Sequence, residues 1–409
     1  MPGTGTVETL PVLQHGFRPF FLLGAIWAAV ALFAWLGQLS GAFVLPTAMD
    51  PLVWHRHELL FGWLAAIVAA FLLTAIPNWT GRKPARGWPL LGLVALWLAA
   101  RLAVLTSDWT GATTALVLDT AFPLAMALVA AREIAAGKNW RNLPITLLVG
   151  LLALACLLSH LESMGTLPTE MLGDRLAIAV VAGLVALIGG RITPSFTTNW
   201  LKARRMTPLP APFGRLDKAV LALTGVALLT WLVLAEGTAP GLLLLAAGIG
   251  VAVRLARWRG LAARPEPLLL VLHVGYAWLA LGLFLLGLAA LGVIPRATGL
   301  HAITAGAFGT MTLAVMTRAA LGHTGRQLTA DGWTSAIYVL VTLGALARLL
   351  AFLPDVPYTA ALHLAGTLWG GAFLLYAIRY AGILLGPSLS PGAKMAAPGG
   401  RVTGSSSPA

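Results

Sequence analysis

Apolar runs of about 20 residues recur along this chain, each closed by a Pro, a Gly or a cluster of charges, and such runs match the hydrocarbon thickness of a bilayer. Spans are expected near 17–38, 52–77, 88–106, 111–133, 143–163, 172–190, 218–235, 239–256, 268–293, 299–319, 333–353 and 358–386. Of 409 residues, 58% are hydrophobic and 10% charged, so polar surface is too scarce to cover a globule in water. The expectation is an all-α polytopic membrane protein of about twelve transmembrane helices. Residues 1–386 form one helical domain, and 387–409, rich in Pro, Gly, Ser and Ala, form a disordered tail.

A formal charge of +13 would suggest nucleic acid for a soluble protein. Here the basic residues sit in alternate short loops: Arg82, Lys83 and Arg86; Arg132, Lys138 and Arg141; Lys202, Arg204, Arg205 and Arg215; Arg254, Arg257, Arg259 and Arg264; then Arg318 and Arg326. The intervening loops are neutral or acidic. The positive-inside rule makes the basic loops cytoplasmic and places both termini inside. Lipid is therefore the expected partner and nucleic acid is excluded. No cleavable leader pattern opens the chain, so the first helix reads as the insertion signal.

Topology then gives each histidine a depth. His55 and His57 open the second span, His160 closes the fifth, His301 opens the tenth and His363 lies one turn into the twelfth, all toward the outer side. His15, His273 and His323 lie toward the cytoplasmic side. Ionisable groups inside lipid are costly and mark sites. His55 and His57 project about 200° apart on a helix, so they cannot chelate one ion and can instead face two different centres, against the alternative that histidines near helix ends sit half-solvated and bind nothing. His301, from another helix, is the third outer candidate, and His273, His15 and His323 are candidates for an inner site. His160, beside Glu162, reads as an interfacial histidine that binds nothing, and for His363 both readings stand. Cys156 is the sole cysteine and lies in an apolar run, which leaves metal binding to histidine, carboxylate or methionine. Met311 and Met316 project about 140° apart and read as packing.

Arg101 and Asp119 fall at similar depth on neighbouring spans and are expected to form an ion pair that holds the two helices together. Arg18, Arg191 and Arg318 each end an apolar run at the cytoplasmic side, where a guanidinium fork suits the carboxylates of an anionic ligand, or simply snorkels.

The segments "HGFRPFFLLGAIWA" (15–28), "WHRHELLFGWLAA" (54–66), "AFLLTAIPNWTG" (70–81), "GGRITPSFTTNWL" (189–201), "LHVGYAWLALG" (272–282) and "HAITAGAFGTMTLAVMTRAALGHTGR" (301–326) together resemble the NnrS family of bacterial membrane proteins. The likeness spans nearly the whole chain, with Ala70 where glycine is expected. It implies a haem- and copper-containing protein of the bacterial inner membrane, linked to nitric oxide metabolism and nitrosative stress. A looser analogy to the twelve-helix haem–copper oxidase subunit comes with it. The motif histidines map to His15, His55, His57, His273, His301 and His323, without settling which of them binds which metal; His55, His57, His301 and His273 are the candidate metal ligands, and Arg18, Arg191 and Arg318, from their position at helix ends, the candidate cofactor contacts. Without a CxxCH sequence any haem is held non-covalently and is expected to be b-type. Nitric oxide is the expected ligand or substrate. If the chain is catalytic, it is an NO-reacting haem–copper oxidoreductase; the rival readings are a twelve-helix secondary transporter and a non-catalytic haem-binding NO sensor or scaffold.

Overall fold

The computed structural model describes residues 4–389, and no strand occurs among them. The tail expected over 387–409 therefore lies almost wholly outside the described residues. Twelve helices are long and apolar enough to cross a membrane: α1 (Phe17–Leu39), α2 (Pro51–Thr80), α3 (Trp88–Leu105), α4 (Ala112–Ala136), α5 (Trp140–Ser163), α6 (Leu172–Ala203), α7 (Arg215–Leu234), α8 (Thr238–Ala256), α9 (Pro267–Ala290), α10 (Arg296–His323), α11 (Gly332–Leu350) and α12 (Tyr358–Leu385). Each overlaps its sequence-predicted span. The largest departure is α6, expected to stop at 190. The polar stretch "RITPSFTTN" ends the hydropathy signal but not the helix, because Thr197 and Thr198 return their hydroxyls to the carbonyls of Thr193 and Pro194.

Apart from α2 and α3, consecutive helices pack as antiparallel neighbours; α2 packs on α4, and α12 closes back on α1. Inside this ring stand α2, α6 and α10, with α6 touching both of the others. They are also among the most enclosed spans. A wholly apolar void of about 90 Å³ separates the three, lined by residues such as Ile67, Leu184 and Met311. Where α8 crosses α9, a Cβ on Gly248 would fall 2.8 Å from the carbonyl oxygen of Ala280, so only glycine permits this approach of two backbones.

The same three inner helices share one irregularity. Each contains a wide, π-helical turn: Glu58–Leu64 in α2, Val185–Gly189 in α6 and Ala302–Phe308 in α10. A wide turn inserts an extra residue and loosens the regular ladder of backbone bonds, which is costly where no water can reach. In each case a neighbouring helix supplies a donor. Trp97 Nε1–H donates to the Gly62 carbonyl at 2.9 Å, Trp369 Nε1–H donates to Ala305 at 3.0 Å, and Arg254 Nη1 donates to Ala186 at 3.1 Å. Arg254 is buried in the process. It also donates to Gly190 at 3.1 Å, to the Tyr276 hydroxyl at 2.7 Å and to Asp217 at 2.8 Å, so its charge is compensated.

Two substitutions check this account by thermal unfolding in detergent. Trp97→Phe keeps the ring but leaves the Gly62 carbonyl unanswered and is expected to cost about 1–3 kcal/mol. Arg254→Met removes the donors to Ala186, Gly190 and Asp217 together, leaving Asp217 with Arg257 at 3.2 Å, and is expected to cost more than Trp97→Phe. Equal melting temperatures for both variants and wild type would remove the side-chain donors from the explanation of the wide turns.

Candidate functional site

The wide turn of α2 carries the chemistry. His57 is the residue immediately before it and Glu58 is its first residue, both fully buried. Around them the helices α2, α3, α4 and α5 bring together a cluster that the linear sequence scatters over a hundred positions. Asp119 of α4 is its centre. One carboxylate oxygen, Oδ1, accepts from Arg101 Nη2. The other, Oδ2, accepts from His57 Nε2 at 2.6 Å, His160 Nε2 at 3.0 Å and the Cys156 thiol at 3.4 Å. Glu58 Oε2 accepts from Arg101 Nη1 at 2.6 Å and from Trp27 Nε1 at 2.5 Å, while its Oε1 is buried without a partner. Gly62 makes room for this arrangement, since a Cβ there would lie 2.5 Å from Glu58 Oε2 and 2.8 Å from Arg101 Nη1.

The ion pair expected between Arg101 and Asp119 is present, and it is one edge of a larger network. His57, Asp119, Cys156 and His160 each offer a ligand atom, and all four atoms lie within 4.8 Å of one another. Two imidazoles, a sulfur and a carboxylate from three helices form a donor set for a transition metal. The charge balance points the same way. Glu58 and Asp119 bring two carboxyl groups against one guanidinium from Arg101, and in lipid the balance is met by a metal ion or by a proton, on an imidazole or on Glu58 itself. Beyond the cluster, His57 Nδ1 meets Ser159 Oγ at 3.3 Å, and Ser159 donates to Asp174 at 3.1 Å.

Two of these residues had been set aside on sequence grounds. His160 is not a half-solvated interfacial group, because the end of α5 tucks behind α4 and α2 and buries its ring against that of His57, with centroids 4.4 Å apart. Nor are the candidate ligands confined to histidine, carboxylate and methionine, since Cys156 stands one turn before His160 on the same face of α5 and joins the group that could hold a metal ion. That four-residue spacing was the available signal.

His55 points elsewhere. Its ring stacks on Trp35 with centroids 4.0 Å apart, and it lines a cavity of about 360 Å³ shared with His301 of α10. The walls are mostly apolar, including Leu32, Leu60, Phe308 and Leu362. His301 donates Nδ1–H to the Ala297 carbonyl at 2.7 Å, which fixes its tautomer and leaves the Nε2 lone pair free. His55 makes no hydrogen bond among the described residues, and its Nδ1 is buried. His55 and His57 therefore serve two neighbouring centres from one helical turn.

The remaining candidates lie apart from these two centres. His273 is buried, with Nε2 2.9 Å from the Thr197 hydroxyl and Nδ1 unpartnered. His15 and His323 flank the Phe17 ring, with centroids 5.9 and 5.5 Å away. His15 precedes α1, and burial, followed by the charges of Arg18 and His323, pushes it below the usual imidazole range. His363 Nε2 lies 3.3 Å from Ser40 Oγ. Arg18 spends its donors on the end of α12, at the Leu384 carbonyl (3.0 Å) and the Ser388 hydroxyl (2.8 Å). Arg318 covers the Phe196 ring at 4.0 Å, and Arg191 is exposed.

Gly62→Ala is expected to lower the melting temperature by the equivalent of about 1–3 kcal/mol, the usual cost of overpacking. Gly92→Ala, whose Cβ would meet open space, is the control and is expected to lose nothing. Indistinguishable unfolding of the two variants would mean that the cluster has slack which the close contacts at Gly62 deny.

A comparison with curated proteins finds no match. A family model described as NnrS protein matches residues 11–388, nearly the entire chain and every helix of both centres. The chain belongs to the NnrS family.

Proposed function

We propose that this protein holds haem in the cavity lined by His55 and His301, holds copper at His57, Cys156, His160 and Asp119, and binds nitric oxide as part of a response to nitrosative stress. The observation that carries the haem reading is a buried imidazole and a half-buried one, from different helices, at a mostly apolar cavity: His301, half-buried, has its tautomer fixed by Ala297, and His55, buried, has an orphaned ring nitrogen. Free imidazole nitrogens in an apolar setting suit haem iron. His55 and His301 are the residues that would hold haem there, and the group would supply an iron centre able to bind nitric oxide.

The chain's own contribution is positioning and exclusion. Ala297 holds the His301 ring, Trp35 holds the His55 ring by stacking, and the leucine walls keep water away. At the second centre, two imidazoles and a thiol are the donors copper prefers, and Ser159 orients His57 through its other ring nitrogen. The basic loops are proposed to face the cytoplasm of a bacterial inner membrane, which puts both centres in the outer half. Turnover of nitric oxide, rather than binding alone, is a separate property that the same residues would serve.

The test is an absorption spectrum with metal analysis on detergent-purified protein, first reduced and then exposed to nitric oxide. Wild type is expected to show a Soret band that shifts with the gas. That band is expected to be lost or displaced in His55→Ala and His301→Ala. Copper is expected to fall in Cys156→Ser and His160→Ala while the Soret band persists. Protein that stays colourless and metal-free when expressed with ample haem and copper would return the transporter reading to first place.

A further inference from the structure

Three guanidiniums line the His55–His301 cavity, those of Arg56, Arg296 and Arg348, and they are not equivalent. Arg56 Nε stands 3.0 Å from Asp174 Oδ2, and Arg296 Nε donates to Glu236 at 3.1 Å. Both charges therefore have carboxylate partners within the chain. Arg348 has none among the described residues. Its Nη2 donates to the Tyr358 hydroxyl at 3.3 Å, and its Nη1 is buried with no partner. The guanidinium lies 4.4 Å from the Phe352 ring centroid and 5.6 Å from that of Tyr358, so the two neighbouring rings pack against it.

A guanidinium cannot shed its proton to escape burial. Arg348 is 9% exposed at the wall of an apolar cavity, within electrostatic reach of both His55 and His301. An uncompensated cation in that position costs several kcal/mol unless an anion arrives to meet it. Among the described residues no carboxylate pairs with it, and the open Nη1 edge belongs to a residue that forms part of the cavity wall.

We infer that Arg348 binds a carboxylate carried by the molecule that fills this cavity, with the Tyr358 hydroxyl fixing the fork. The identity of that molecule rests on the haem reading above, in which case the carboxylate is a propionate. Arg18, Arg191 and Arg318, the residues that sequence offered for this duty, do not line the cavity, whereas Arg348 does.

The full chain, produced without haem and purified in detergent, is titrated with haem and separately with its dimethyl ester, followed by Soret absorbance. Wild type is expected to bind haem about tenfold or more tightly than the ester, the scale of one charge-assisted hydrogen bond. Arg348→Leu is expected to bind both as wild type binds the ester, and Arg348→Lys to keep part of the preference. The wild-type comparison needs no variant to fold. Equal binding of haem and ester by wild type overturns the role of Arg348 and leaves the haem site standing. Binding of neither overturns both.

Discussion

Every backbone carbonyl loosened inside hydrocarbon must find a donor within the protein, and this requirement organises the inner half of the molecule. The three wide turns of α2, α6 and α10 would each be a defect on their own. Trp97, Arg254 and Trp369 answer them from α3, α8 and α12 and thereby lock an outer helix against each inner one. The irregular turns and the packing of the ring are thus one arrangement. Two of them sit where the chemistry is: His57 immediately precedes the turn in α2 and His301 the turn in α10.

The same logic applied to charge explains the buried cluster. Asp119 can remain at membrane depth because Arg101, His57, His160 and Cys156 all donate to it. Glu58 shares Arg101, so two carboxyl groups face one guanidinium and the balance is met by a metal ion or a proton. Across α2, the neighbouring cavity has the opposite character, with an unpaired guanidinium and free imidazole nitrogens in apolar walls. The two centres lie side by side but ask for different occupants.

Much of this was readable in the sequence. Hydropathy marked all twelve helices, because a span in lipid depends on its own composition rather than on distant contacts. Helical geometry separated His55 from His57, and depth paired Arg101 with Asp119. Convergence between helices was harder to read. Nothing local marks His160 as buried, since its neighbours Glu162 and Ser163 are polar and only the packing of α5 behind α2 and α4 encloses it. Cys156, four residues before it in an apolar run, shares its helix face, but the spacing does not say which helices that face meets. The wide turns leave no periodicity signal in so uniformly apolar a stretch, and Arg348 looks like any arginine near a helix end until the cavity beside it is seen.

Placing His55 and His57 on a single turn of α2 has a price in independence. One residue, Arg56, lies between them, and it too is tied across to Asp174, which leads by way of Ser159 back to His57. Any rotation or shift of that turn moves a group in each centre at once. The two sites are therefore mechanically coupled: a substitution that repositions one of them also repositions a group in the other, and the short segment from Trp54 to Glu58 moves as a unit.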